Sequence, residues 1–147
     1  MGRTTARAVP LTVAALAALC CSSCQGGKRF YPVHGTVLAN GKPAYGVLIA
    51  MHPEDDTGPR ALRPSATVRE DGSFEMKTYL HAEQVVKDGA PAGKYVVTCV
   101  WWPLDRSGYG AENLPDKLKG RYSNPKTSTL RAEVPEGPSE LNLELKH

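Results

Sequence analysis

The stretch Pro91–Pro103, PAGKYVVTCVWWP, decides the fold. Tyr95, Val97, Cys99 and Trp101 alternate with Val96, Thr98, Val100 and Trp102. Successive strand side chains point to opposite faces, so the first set is expected inward and the second outward. Pro91 and Gly93 punctuate the start and Pro103 the end. A run apolar on both faces belongs inside a sheet with its outer face partly covered, rather than at an exposed edge. Cys99 is then a buried, inert thiol and Trp101 a core anchor. Trp102 falls on the opposite face, beside a long loop.

Outward from this run the same pattern recurs. Tyr31–Leu38 reads as a strand with Val33, Gly35 and Val37 on one face, and Asn40–Gly41 is a tight-turn signal. Tyr45–His52 follows, with Val47, Ile49 and Met51 inward, and Pro53 ends it. After the polar loop Glu54–Pro64, Ser65–Arg69 and Ser73–Thr78 form a hairpin about Asp71–Gly72, with Phe74 and Met76 inward. Tyr79–Ala90 reads as a loop holding a helical turn. Leu104–Lys126 is the longest irregular segment, with one helical turn expected over Pro115–Tyr122. Thr127–Val134 and the alternating Leu141, Leu143 and Leu145 complete seven strands. Seven short strands without a long amphipathic helix predict an all-β sandwich.

The first thirty residues of the 147 are a separate matter. Arg3 and Arg7 precede the apolar run Leu11–Leu19, which is too short for a permanent membrane span, and Cys20, Cys21 and Cys24 follow. This is an export signal of the bacterial lipoprotein kind. Cys24, preceded by Ser22 and Ser23, is the best acylation site; Cys20 and Cys21 have poorer residues before them, and Cys21 stands where the pattern usually has Leu. An ordinary signal peptide cut nearby is the alternative. Residues 1–23 are thus a signal peptide, 24–30 a lipid-anchored tether and 31–147 the domain. Gln25, in place of an Asp after the acylated Cys, favours an outer membrane, with the domain facing periplasm or cell surface. Removing residues 1–23 takes 18 basic residues to 16 against 15 acidic ones, so no basic surplus points to nucleic acid. With Cys24 acylated, Cys99 has no disulfide partner.

The ordered motifs Val33–Val37, Asn40–Pro43, Gly46–Pro53, Glu70–Phe74, Gly89–Thr98 and Lys119–Leu130 resemble the carboxypeptidase regulatory-like, or transthyretin-like, domain of small bacterial lipoproteins. The likeness runs from Tyr31 to Lys146. It implies a prealbumin-like, Ig-like seven-stranded Greek-key sandwich and a non-catalytic role. The same family includes a 5-hydroxyisourate hydrolase that uses a His/Arg/His set and a C-terminal Tyr-Arg-Gly-Ser. This chain ends Glu144-Leu145-Lys146-His147, and His34 is left without the matching partners.

The residues themselves supply no catalytic set. His34, His52, His81 and His147 lack metal-ligand spacing, and Glu54, Asp55, Asp56 and Asp71 read as solvated acids rather than a calcium loop. No nucleophile elbow, phosphate loop or dinucleotide fingerprint is present. The expectation is a lipid-anchored, non-enzymatic envelope lipoprotein with no cofactor and no metal, binding an envelope protein or glycan or serving as a structural module. Trp102, Tyr109 and Arg121 are the candidate binding residues, within a recognition surface made of Glu54–Pro64 and Leu104–Lys126. A carbohydrate-binding module is the second reading. For Trp102 the competing expectation is burial beneath the long loop, against Tyr109 and Tyr122.

Overall fold

In a computed structural model, which describes Gly2 and residues 27–104 and 113–146, the chain forms ten strands and, among those residues, no helix. The expected signal peptide, Cys24 and Tyr109 lie outside the described residues. The strands are β1 (Val33–Ala39), β2 (Lys42–Pro43), β3 (Leu48–Pro53), β4 (Ser65–Thr67), β5 (Ser73–Glu75), β6 (Lys77–Leu80), β7 (Val85–Asp88), β8 (Gly93–Val100), β9 (Leu130–Val134) and β10 (Ser139–Leu145).

They make two sheets. In the smaller, β1 lies between β10, its parallel partner, and the short strands β2 and β5, both antiparallel to it. The larger runs β7-β6-β4-β3-β8-β9, antiparallel throughout. After the meander β3, β4, β6 and β7, the chain returns with β8 to lie beside β3.

The inward faces follow the alternation read from sequence. Val33 and Val37 from β1, Ile49 and Met51 from β3, Phe74 from β5, Tyr95, Val97 and Cys99 from β8, and Leu143 and Leu145 from β10 share one buried core. A side chain such as Ile49 or Phe74, fully withdrawn from water, contributes about 1.5–3 kcal/mol. The Asn40–Gly41 turn has positive φ at both residues (49° and 75°), the geometry that matches the twist of a two-residue hairpin.

Ten strands replace the expected seven for identifiable reasons. The run Ser73–Thr78 does not stay in one sheet. Met76 donates its N–H to Val33 O (2.8 Å) in the smaller sheet and accepts Gly89 N–H (2.7 Å) on its other side, so the chain changes sheets there. The expected hairpin partners therefore separate: β5 pairs with β1, and β4 pairs with β3 and β6. The Asp71–Gly72 turn itself forms, with Asp71 Oδ1 accepting from the Ser73 N–H and hydroxyl.

The helical turn expected in Tyr79–Ala90 is absent. That segment is the β6–β7 hairpin, because Val85 and Val86 favour a strand and Gln84 closes the turn at φ 54°. Pro115–Tyr122 likewise makes successive turns rather than a helix, since Lys119 and Gly120 take left-handed conformations (φ 55° and 73°). β8 stops at Val100, before the two tryptophans, because the backbone N–H and C=O of Trp101 turn to Asp116 and Lys117 instead of to a neighbouring strand.

Candidate functional site

The sandwich has two distinct ends. At one, Tyr31 bridges Ala90, β1 begins at Val33, and β3 and β8 meet at Pro53 opposite Tyr95. This end, called the tether end after the expectation for residues 24–30, is where residues 27–30 join the sandwich. At the other end β1 turns at Asn40–Gly41, Leu48 pairs with Val100, and the chain enters the long loop. The eight residues of β8 separate the two by about 25 Å.

The far end is built around Trp101 and Asp116. Asp116 Oδ1 accepts the backbone N–H groups of Trp101 (2.8 Å) and Leu118 (3.0 Å), and Oδ2 accepts that of Gly120 (3.0 Å). The Trp101 indole N–H donates to Tyr45 O at 2.8 Å, and the Lys117 ammonium sits 4.6 Å above the ring. Trp101 is therefore not the core anchor expected from alternation. It is half-buried, packed against the core edge, with its indole N–H satisfied by a carbonyl. The core position goes to the loop itself: Leu118 and Tyr122 are buried, Cys99 N–H donates to Tyr122 O (3.0 Å), and the Tyr122 hydroxyl accepts Lys146 N–H (3.3 Å).

Of the residues singled out for binding, Trp102 is half-buried and Arg121 is exposed, both in this end of the molecule; Tyr109 is outside the described residues. Leu114, also exposed, joins them and was not singled out by the sequence. Its sequence signal, an apolar residue among polar and turn residues, is the same as that of Leu118, and no local pattern tells the exposed leucine from the buried one.

The other expected recognition loop, Glu54–Pro64, is at the tether end. Three clefts draw on it. One of about 330 Å³ lies between Lys28, Arg29, Tyr31, Asp55, Tyr95 and Glu136. A larger one, about 910 Å³, opens between the tether, Pro59–Leu62 and the β6–β7 turn. The third, about 370 Å³, is on the outer face of the larger sheet between His52, Val96, Arg63, Pro125 and Lys126. Neither Trp102 nor Arg121 lines any of them. The two loops predicted to form one recognition surface therefore meet only in part: Pro125 and Lys126, the last residues of Leu104–Lys126, join Glu54, Asp56 and Arg63 in the third cleft, while Trp102 and Arg121 lie at the far end.

In the third cleft His52 Nε2 and Thr98 Oγ1 are 3.0 Å apart, and Thr98 Oγ1 also lies 3.3 Å from Ala50 O. Burial, and then the Arg63 guanidinium, lower the His52 pKa, which keeps the imidazole neutral at pH 7. Glu54 is paired with Arg131 at 3.3 Å. Among the described residues the imidazole has a hydroxyl on one side and no hydrogen-bonded carboxylate on the other.

Cys99 is buried and free, its thiol pushed up to about 12 by burial, with the Asp116 carboxylate adding to it. That is the inert core thiol read from sequence. His34 is exposed on β1, flanked by Glu75 and Glu140. Among the described residues no three His, Cys, Asp or Glu side chains gather around a point that would suit a metal ion.

No family model and no curated protein matches the chain. Among solved structures it is similar to a DUF3823 family protein from Parabacteroides merdae, with 17% identity and a TM-score of 0.41. The match takes in 81% of this chain and 47% of that one, so this chain spans about half of its length.

Proposed function

We propose that this chain is a lipid-anchored, non-enzymatic module of the cell envelope that offers its far end to a protein or glycan partner. The carrying observation is the separation of Tyr31 and Trp101 to opposite ends of the sandwich. A chain acylated at Cys24 is held by the Tyr31 end, which leaves Trp102, Leu114 and Arg121 facing away from the anchor. Tyr109 belongs to the same loop by sequence and joins that surface in this reading.

The finer assignment to a Greek-key, transthyretin-like domain is part of the same proposal. It draws on the order of turn motifs and on the return of β8 beside β3 after a meander, the spatial order of a Greek key. The outer membrane, facing periplasm or surface, is the location the Cys24–Gln25 sequence favours.

Two measurements test the proposal. The full chain should incorporate a palmitate analogue and fractionate with membranes, and Cys24→Ala should abolish both. A photo-crosslinking residue at Arg121 or Leu114 should then give discrete adducts in cells where one at the exposed Glu136, at the tether end, gives none. Adducts equal at all three sites overturn the far-end assignment.

A second reading, a carbohydrate-binding module, draws on Trp102, a half-exposed indole beside the long loop. A glycan array separates the two: saccharide binding that is lost in Trp102→Ala supports it, and a blank array removes it.

A further inference from the structure

We infer that the 910 Å³ cleft at the tether end is a docking site for anionic phospholipid headgroups of the membrane that holds the anchor, so that the domain rests on the bilayer at this end instead of swinging on its tether. The inference rests on the lipidation proposed for Cys24 and adds what the domain does beside it.

Position comes first. Gly27, which lines the cleft, follows Cys24 by three residues, at most about 10 Å of extended chain. An acyl chain buried in the bilayer therefore holds this end of the domain within reach of the headgroups.

Composition comes second. Phe30, Leu62 and Leu80 supply apolar walls, and Lys28, Arg60 and Lys87 supply cations. Glu83 is the one acid in the lining. Apolar surface ringed by cations fits a phosphodiester with glycerol and acyl carbons behind it, the pattern of interfacial membrane binding. Of the other acids of this end, Asp55, Asp56 and Glu136 line the neighbouring cleft, which shares Lys28, and Glu54 is paired with Arg131.

The adjoining β6–β7 hairpin carries the same character outward. Tyr79 and Val86 are direct cross-strand partners and both are exposed, 44% and 58%. The Tyr79 ring meets His81 edge-on at 4.7 Å. Tyrosine with an apolar body and a polar tip suits the headgroup level of a bilayer. β7 is also a sheet edge exposed at every residue, which a bilayer surface would cover.

The test uses the lipidated full chain with an environment-sensitive fluorophore on Ala82→Cys, in the β6–β7 turn. Cys24 is acylated and Cys99 buried, so the label is selective. The chain is inserted into vesicles of phosphatidylcholine alone or of phosphatidylcholine with phosphatidylglycerol. With phosphatidylglycerol the emission should shift to the blue and acrylamide quenching should fall severalfold. Both changes should reverse in high salt and vanish in the triple variant Lys28→Glu, Arg60→Glu, Lys87→Glu. A label on Lys42→Cys should stay water-exposed throughout.

Vesicle flotation keeps the two ideas apart. A chain that floats while the Ala82→Cys label is quenched equally in both vesicle types keeps the anchor and overturns the docking site. A chain that does not float overturns the anchor and the docking site with it. A response that persists unchanged in the triple variant also overturns the site.

Discussion

The Trp101 backbone N–H donates to the Asp116 carboxylate at 2.8 Å, fifteen residues along the chain. The bond ends β8 and begins the far-end loop in one step. Because the same carboxylate also accepts from Leu118 and Gly120, it organises the turn that buries Leu118 and places Tyr122 beside Cys99.

Asp116→Ala should therefore loosen the far end as a unit. Three backbone donors lose a charged acceptor, at a cost of about 1–3 kcal/mol, or roughly 5–10 °C in melting midpoint for a domain of this size. Asp116→Asn keeps one acceptor oxygen but sets an amide against a backbone N–H, and should fall between wild type and Asp116→Ala. Lys117→Ala removes only a cation above the half-buried Trp101 ring and should cost less than either. Thermal melts followed by tryptophan fluorescence and by far-ultraviolet circular dichroism give the ranking. An Asp116→Ala midpoint equal to wild type contradicts the hub.

The inward faces were legible because they obey period two: Val33 and Val37, Val47, Ile49 and Met51, Phe74 and Met76, and Tyr95, Val97 and Cys99 are all buried as read. What period two does not carry is where a chain leaves its sheet. Met76 continues the alternation of Phe74 faultlessly while handing the chain to the other sheet. Trp101 continues the alternation of Cys99, yet its backbone bonds go to Asp116 and Lys117, and no local pattern announces that. The β6–β7 hairpin was hidden by a turn closed on Gln84 instead of Gly or Asn, the residues that usually mark such a conformation. At the candidate site, Arg121 is exposed on the far-end loop, and the meeting of that loop's last residues, Pro125 and Lys126, with Glu54 and Arg63 depends on strand order, which the sequence does not print.

Cys99 and Tyr95 tie stability to alkaline pH. Burial pushes the Cys99 thiol up to about 12 from 9.0, and the Tyr95 phenol up to about 12 from 10.0, in each case with a nearby carboxylate adding to it. The unfolded chain releases these protons first, so above pH 9 it binds fewer protons than the folded one. Stability is therefore fully present below pH 9 and falls as pH rises from 9 toward 12. The Tyr95 hydroxyl also donates to Pro91 O at 2.7 Å, a bond that a phenolate is unable to make. Urea midpoints measured from pH 7 to 11 should decline in wild type and flatten in the double variant Cys99→Ala, Tyr95→Phe. A wild-type profile as flat as that of the variant would be inconsistent with the burial of both groups.

Gly35 lies where β1 pairs with β10 in the smaller sheet. It is buried, pairs with Leu141 of β10 on one side and Phe74 of β5 on the other, and a methyl group added to it would overlap the Leu141 carbonyl. That neighbour is backbone in a seven-residue parallel ladder, so it has no free rotamer with which to move aside. Gly35→Ala must therefore push β10 away from β1, and overpacking of this kind costs about 1–3 kcal/mol or more. The loss should appear as a lower urea midpoint together with faster amide exchange at Leu141 and Leu143. Gly137, in the turn before β10, has nothing within 4 Å of the same methyl position. Gly137→Ala should be neutral or gain up to about 1 kcal/mol by restricting the unfolded chain. Equal midpoints for the two alanine variants would mean that β1 and β10 are not in the register described.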